Sequence, residues 1–177
     1  MSIDHIVVVT AEPKSIFLEI LLKYFTSIQF KKNKKKITII GNLFLFEKEI
    51  KKNNYKIKIN KILDISKSKK NYINLIDIKI SNKSKIADYI SESFNKSLHI
   101  LQKNKNISLL NGPVNKRTFL KKKYLGITEY LAKKTNSINP VMLIYNEKLS
   151  VSPITTHLPL KHVSRNINKS IIIKKIK

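Results

Sequence analysis

The sequence predicts an α/β protein in which short apolar strands alternate with amphipathic helices. The run HIVVVT (5–10) is rich in β-branched residues, which is typical of a strand buried on both faces. The next run, IFLEILLKYF (16–25), places its apolar residues on one broad face of a helix. KITIIGN (36–42) then returns to a strand pattern that ends at Gly41. Because the two patterns alternate, we expect helices layered on a sheet.

The segments between residues 45 and 80 continue this alternation. LFEKEIKKNN (45–54) is predicted to be a helix. YKIKINKILDI (55–65) and YINLIDIKI (72–80) are predicted to be strands, with SKSKK (66–70) as a polar loop between them. Since Lys and Ile alternate in the first of these runs, we expect that strand to be half exposed.

The strongest helix signal lies in SNKSKIADYISESFNKSLHILQK (81–103). Ser84 is its candidate N-cap. Four large apolar residues recur there at intervals of four: Ile86, Ile90, Phe94 and Leu98. ISLLNGPVNK (107–116) follows and is predicted to be a strand that runs into a loop.

The last third of the chain predicts a helix, a hairpin and a second helix. TEYLAKKT (128–135) has the helical pattern, and VMLIYN (141–146) pairs with LSVSPIT (149–155) in the predicted hairpin. LKHVSRNI (160–167) is predicted to be a helix that begins at Pro159, because proline is favoured in a first helical turn.

Composition bounds the class of protein. With 177 residues, 42% of them hydrophobic and 27% charged, the chain can form one globular domain with its own core. It has no cysteine, which excludes disulfides and thiolate metal sites. No apolar run reaches the ~18 residues of a membrane span, and MSIDHIVVVT lacks the features of a signal peptide. We therefore expect a cytoplasmic protein with no membrane partner.

The net charge of +25 raises the possibility of a nucleic-acid partner. Only two of the 36 basic residues are arginine, Arg117 and Arg165, although arginine is the residue that best recognises bases and phosphates. The lysines are scattered along the chain, and Lys, Ile and Asn are all encoded by A/T-rich codons. We interpret the charge as compositional drift onto solvated faces, and a basic nucleic-acid-binding domain remains an alternative.

The sequence has only three glycines, and they are too far apart to form a G-x-G-x-x-G or P-loop motif. A Rossmann-type dinucleotide site is therefore not expected. His157 follows a predicted strand, where functional side chains of α/β proteins collect. It is either a ligand for a divalent metal or a hydrogen-bonded structural histidine. His5 and His99 lie in apolar runs, and we expect both to be packed in the interior.

Two further loops carry candidate ligand-binding residues. NGPVNK (111–116) is either a tight turn or a loop whose Asn115 or Lys116 contacts an anionic ligand. In GITEYL (126–131), Thr128 is either the N-cap of a helix or part of a helix start whose free N–H groups hold a phosphate or carboxylate.

Taken in order, four segments resemble the amino-terminal half of the 4-hydroxythreonine-4-phosphate dehydrogenase family of vitamin B6 biosynthesis. They are VVVTAEPKSIFLEIL (7–21), LNGPVNKRTF (110–119), GITEYLAKKT (126–135) and VMLIYNEKLSVSPITTHLPLKHV (141–163). The pieces GPVNK and TTHLPL are the most specific.

The resemblance implies a layered α/β fold like that of isocitrate and isopropylmalate dehydrogenases, present here in truncated form as a single region over 1–177. It implies NAD or NADP and a divalent metal such as Zn, Mg or Co. The implied reaction oxidises and decarboxylates 4-phosphohydroxy-L-threonine to 3-amino-2-oxopropyl phosphate. The implied assembly is a homodimer, or a complex with a separate carboxy-terminal half.

The resemblance also implies residue roles. His157 matches the family's first metal-binding histidine, and Thr128 matches its substrate-contacting threonine. Asn115 and Lys116 are the other candidate substrate-binding residues. Ile127 stands where the family has a histidine, and the first loop, AEPKSIFLE (11–19), lacks the family's glycines. These departures leave a catalytically inactive remnant as an alternative.

Overall fold

The computed structural model describes residues 3–80, 85–120 and 123–176. The chain divides into two compact units, Met1–Phe119 and Leu120–Lys177, called unit 1 and unit 2 below.

Unit 1 is built on a parallel sheet of five strands: β1 (His5–Val9), β2 (Lys36–Gly41), β3 (Ile59–Lys61), β4 (Ile73–Asp77) and β5 (Ile107–Asn111). Their order across the sheet is β3-β4-β2-β1-β5, and every pairing is parallel. The predicted α/β class is therefore confirmed. The predicted strand over 55–65 is much shorter than expected, since only its three central residues pair at the sheet edge.

The helices of unit 1 are α1 (Phe17–Thr26), α2 (Ile28–Lys32), α3 (Leu43–Lys52) and α4 (Ile86–Lys103). Side chains from α1, α2 and α3 form one core cluster with alternate residues of the strands, such as Val8 and Ile39. Helix α4 contacts β1, β2 and β5, and it buries the predicted stripe at Ile90, Phe94 and Leu98.

The start of α4 differs in part from the prediction. Ile86, the first residue of the apolar stripe, is exposed because it lies in the first turn of the helix. The predicted N-cap Ser84 lies outside the described residues. The Asp88 carboxylate accepts a hydrogen bond from the backbone N–H of Lys85 at 3.2 Å, which satisfies a donor at the helix start.

The described part of unit 2 contains three α-helices, α5 (Ile127–Lys134), α6 (Leu160–Val163) and α7 (Lys169–Ile176). The predicted hairpin is reduced to a single antiparallel bridge between Ile144 and Val151. Pro159 precedes α6 as expected, and the chain continues into a 3₁₀ turn.

The two units differ sharply in how much apolar surface they bury. Of the 24 buried hydrophobic residues in the described part of the chain, only Leu120 and Tyr130 belong to unit 2. Unit 2 holds thirteen of the 22 exposed large hydrophobic residues of the same described part, among them Ile138 and Leu160. Unit 2 thus leaves most of its apolar side chains uncovered.

Candidate functional site

Two loops of unit 1 meet where the direction of the chain across the sheet reverses. The chain passes from β1 to β2 on one side, whereas β5 lies on the other side of β1. In open parallel sheets, ligands bind outside the carboxyl ends of the strands at such a reversal. The Gly112 N–H donates to the Val9 carbonyl at 2.8 Å, and the Glu12 N–H donates to the Pro113 carbonyl at 3.1 Å. The loop that carries Asn115 and Lys116 is thereby joined to the loop after β1.

Gly112 allows this close approach because it has no side chain. A Cβ atom there would lie 2.5 Å from Cδ1 of Phe17 and 2.6 Å from the Thr10 carbonyl oxygen. Ala11, next to Thr10, is fully buried and has a φ of 55°, in the left-handed region that glycine tolerates best. The backbone of the first loop therefore keeps a glycine-like conformation at a position where the sequence has alanine.

Asn115 has a local structural role besides its predicted ligand contact. Its side-chain oxygen accepts hydrogen bonds from the backbone N–H groups of Arg117 at 3.0 Å and Thr118 at 3.3 Å. These bonds start the π-helical turn Lys116–Leu120. Because the oxygen is engaged, the amide nitrogen of Asn115 is the group left to contact a ligand. Lys116 is exposed at the first position of the same turn.

In unit 2, the residue that precedes α5 is Gly126, and no described side chain caps the start of the helix. The interpretation of Thr128 as the N-cap is therefore wrong: Thr128 lies within the first turn and is half buried. Its hydroxyl is not used for capping, so the predicted substrate contact of Thr128 stays open.

His157 lies beside Glu129, a neighbour that the sequence did not reveal. Its Nε2 atom is 3.9 Å from Glu129 Oε1, which is too long for a hydrogen bond. Two ligand atoms that each bind the same zinc ion at about 2.0–2.2 Å can lie at most about 4.4 Å apart. The distance between His157 Nε2 and Glu129 Oε1 is therefore compatible with a shared ion. Imidazole and carboxylate are both common ligands of divalent metals.

Two further observations single out this pair. The other carboxylate oxygen, Glu129 Oε2, is buried and has no hydrogen-bond partner among the described residues. His157 is exposed and has a φ of 59°, an uncommon conformation for a residue other than glycine. Within the described ranges no three potential metal ligands of the types His, Asp and Glu lie together. The residues present therefore fit part of a metal site, since catalytic zinc uses three protein ligands.

The other histidines divide between the interior and the surface. His5 is buried as predicted, and its Nε2 lies 2.7 Å from the Thr38 hydroxyl. Burial, with a smaller contribution from the nearby Lys36, lowers the pKa of His5 below its ordinary value of 6.5. His99 is exposed on α4, so the expectation that it would be packed is wrong. His162 is exposed on α6.

The comparison with protein families decides where the chain belongs. The family of the pyridoxal phosphate biosynthetic protein PdxA matches residues 33–177, which is most of the sequence. The chain belongs to this family. The resemblance seen in the sequence motifs is thus confirmed, and a basic nucleic-acid-binding domain is not favoured.

Individual members of the PdxA family show how much of the fold is present. The chain is 31% identical over 175 residues to the 4-hydroxythreonine-4-phosphate dehydrogenase of Sulfurihydrogenibium sp. strain YO3AOP1, covering 94% of this chain and 53% of that protein. It is 42% identical over 73 residues to the enzyme of the same name from Aquifex aeolicus, covering 39% of this chain and 22% of that protein. The chain thus spans about half the length of the Sulfurihydrogenibium protein.

Solved structures of the PdxA family agree with the fold described above. The crystal structure of a 4-hydroxythreonine-4-phosphate dehydrogenase from Burkholderia phymatum aligns with a TM-score of 0.84 at 20% identity. The alignment covers 99% of this chain and 57% of that one. In the described part of this chain, no helix is both long and apolar enough to cross a membrane.

Proposed function

We propose that this chain carries the amino-terminal part of an NAD(P)-dependent 4-hydroxythreonine-4-phosphate dehydrogenase. The reaction would oxidise and decarboxylate 4-phosphohydroxy-L-threonine to 3-amino-2-oxopropyl phosphate, in the formation of pyridoxal phosphate. The match of residues 33–177 to the PdxA family carries the proposal. The relative that covers nearly all of this chain has that dehydrogenase name.

Within the proposed enzyme, His157 supplies one ligand to a divalent ion through its neutral ring nitrogen. Its proximity to the Glu129 carboxylate and its left-handed backbone support this role, because strained conformations of non-glycine residues cluster at functional sites. When bound, the ion would polarise the substrate oxygen and NAD(P) would accept the hydride. Glu129 would share the ion or keep the imidazole ring oriented. The remaining metal ligands would come from the carboxy-terminal part of the fold, as the family resemblance implies.

Substrate binding is assigned to three groups. The ammonium group of Lys116 is exposed and would pair with an anionic group of the substrate, and the amide nitrogen of Asn115 would donate beside it. The hydroxyl of Thr128 would contact the substrate, as the family motif implies. Ile127, the neighbour that replaces the motif's histidine, cannot donate a hydrogen bond.

The activity is proposed for an enzyme that also includes the carboxy-terminal part of the family fold, on the same polypeptide or on another. The uncovered apolar side chains of unit 2 support this requirement, since a further part of the fold that packs on them would bury apolar groups now exposed to water. That the enzyme is a homodimer stays a prediction from the resemblance, and that it is cytoplasmic stays a prediction from the composition.

Complementation tests the proposal. The purified chain would be mixed with a polypeptide that carries the carboxy-terminal half of the Sulfurihydrogenibium relative, together with Zn²⁺, NAD and 4-phosphohydroxy-L-threonine. We expect NADH and carbon dioxide to form in equal amounts in the mixture, and neither to form with either polypeptide alone. If the polypeptides associate and no NADH forms with any metal or with NADP, the dehydrogenase proposal is wrong.

A catalytically inactive remnant is the second candidate. The presence of Ile127 favours this candidate, because the substrate motif then lacks the polar side chain that the family has at this position. The Ile127→His variant separates the two candidates. A remnant that has decayed more widely stays inactive in the complemented mixture after this change, whereas a weakened enzyme gains activity.

A further inference from the structure

A large basic cleft lies at the end of the sheet opposite to the loops of the candidate site, and it belongs entirely to unit 1. Its volume is about 990 Å³, within the size range of small-molecule sites. The first residues of three parallel strands contribute to it: His5, Lys36 and Ile107. The loop around Asp64 and the carboxy-terminal half of α4 form its other walls.

The cleft concentrates lysine side chains from separate parts of the chain. Its lining includes six lysines: Lys34, Lys36, Lys70, Lys96, Lys103 and Lys105. Of the residues that the structure describes, two with carboxylates line it, Asp4 and Asp64. Within the described ranges, none of the six lysines forms an ion pair with a carboxylate. A cleft lined by one sign of charge raises the local concentration of oppositely charged ligands.

The floor and one wall of the cleft are held in place by buried hydrogen bonds. The Thr38 hydroxyl lies between the ring of His5 and the hydroxyl of Ser68, and all three residues are buried. The buried Asn74 accepts a hydrogen bond from the Lys69 N–H at 3.0 Å and donates one to the Lys69 carbonyl at 2.9 Å. The loop that precedes Lys70 is therefore fixed to the sheet.

The carboxylates of the lining offset only part of this charge: the hydrogen bonds from Ser66, with smaller contributions from the nearby Lys96 and Lys103, hold the pKa of Asp64 below its ordinary value. Asp64 Oδ1 accepts a hydrogen bond from the Ser66 N–H at 2.8 Å, so one of its oxygens caps the 3₁₀ turn Ile65–Lys67. With six lysines against two carboxylates, the lining keeps a formal charge of about +4 before histidine is counted.

We propose that this cleft binds a chain of linked phosphates, either inorganic polyphosphate or the triphosphate of a nucleotide. Lysine ammonium groups act as point charges, and six of them spread over a wide cleft fit several phosphates better than one. Among the described residues, the lining contains no Phe or Tyr on which a base could stack and no Arg that could read a base edge. Recognition in the cleft therefore rests on the phosphates. This proposal is independent of the dehydrogenase activity.

Isothermal titration with tripolyphosphate, at about 0.15 M salt, tests the cleft directly. Because the whole protein carries a charge of +25, the control must remove the same charge elsewhere. The test variant replaces three cleft residues, Lys34→Gln, Lys96→Gln and Lys103→Gln.

The control variant replaces Lys31→Gln, Lys48→Gln and Lys58→Gln, which are exposed in unit 1 and do not line the cleft. Circular dichroism would verify that both variants are folded. We expect the cleft variant to bind at least about tenfold more weakly than the unchanged protein, and the control variant to differ by less than about twofold.

Two further ligands identify the source of the phosphates. Equal affinity for ATP and tripolyphosphate, with much weaker binding of AMP, supports a polyphosphate site, whereas tighter binding of ATP supports a nucleotide triphosphate. Three results would overturn the proposal. They are no saturable binding of tripolyphosphate or ATP, an equal loss of affinity in both lysine variants, and binding of single-stranded DNA that tripolyphosphate does not displace.

Discussion

The substitution Gly112→Ala tests the close packing that places the loop after β5. Gly112 has no positive φ, so its backbone conformation permits alanine and the test is steric. The added Cβ would lie 2.5 Å from a ring carbon of Phe17 and 2.6 Å from the Thr10 carbonyl oxygen, whereas favourable contacts between carbon atoms lie near 3.5–4.0 Å. The Phe17 ring can rotate, but the Thr10 carbonyl belongs to the backbone at the end of β1.

The magnitude follows from two opposing effects. Overpacking a well-packed site costs about 1–3 kcal/mol of folding stability. We expect a cost at the upper end of this range for Gly112→Ala, because the Thr10 carbonyl is a backbone group that cannot rotate away. Replacing glycine by alanine also restricts the unfolded chain, which stabilises the fold by about 0.4–1 kcal/mol. We therefore expect Gly112→Ala to lower the free energy of unfolding by about 2 kcal/mol. Urea unfolding followed by far-ultraviolet circular dichroism would measure it.

A double-mutant cycle with Phe17→Ala identifies the source of the cost. When the ring is absent, one of the two overlaps is gone, and Gly112→Ala should cost about 1 kcal/mol less than in the unchanged protein. A cost for Gly112→Ala below about 0.5 kcal/mol, or one that does not change when Phe17 is removed, would refute the steric reasoning.

Three more predictions concern the buried hydroxyls and the substrate motif. Thr38→Val should destabilise the protein to urea by about 1–3 kcal/mol, because His5 and Ser68 both lose a buried partner; a stability equal to that of the unchanged protein would contradict this network. The free energy of unfolding should fall as the pH drops below about 6.5, because the lowered pKa of His5 lets the unfolded chain bind more protons there. His5→Gln should flatten that dependence, and an unchanged slope would exclude His5 as its cause. Ile127→His should raise kcat/KM in the complemented enzyme by about tenfold, the gain of one hydrogen bond in the transition state, and an unchanged kcat/KM would mean that position 127 does not contact the reacting groups.

The sheet could be predicted because the sequence makes most of its strands distinct. β1 and β2 are nearly continuous runs of β-branched and apolar residues, as strands buried on both faces require, and β4 keeps three apolar residues, Ile73, Leu75 and Ile76, beside the buried Asn74. The predicted length of the strand over 55–65 is wrong. The alternating pattern indicates a half-exposed strand, but the length of β3 depends on how many of its residues pair with β4 at the sheet edge. The prediction of two paired strands around residues 144 and 151 is also wrong beyond a single bridge, because β pairing depends on partners that a local pattern does not specify.

The candidate site could be predicted only in part. His157 was found through its position after a strand-like run and through the family motif, and its exposed, left-handed conformation leaves the ring accessible. Glu129 was missed because the two residues are distant in the chain, and only the family motif Gly126-Ile127-Thr128-Glu129 includes it. The capping role of Asn115 was missed because asparagine suits both a turn and a ligand contact.

Substitution of single histidines, in the mixture of this chain with the carboxy-terminal half of the relative, tests the proposed function most directly. His157→Ala removes the proposed metal ligand, and His162→Ala removes another exposed histidine five residues away in unit 2. We predict that His157→Ala lowers the rate of NADH formation by at least about a hundredfold and weakens the binding of Zn²⁺, while His162→Ala leaves both within about twofold. Equal rates of NADH formation in the two variants would contradict the account, because the metal would then not depend on His157.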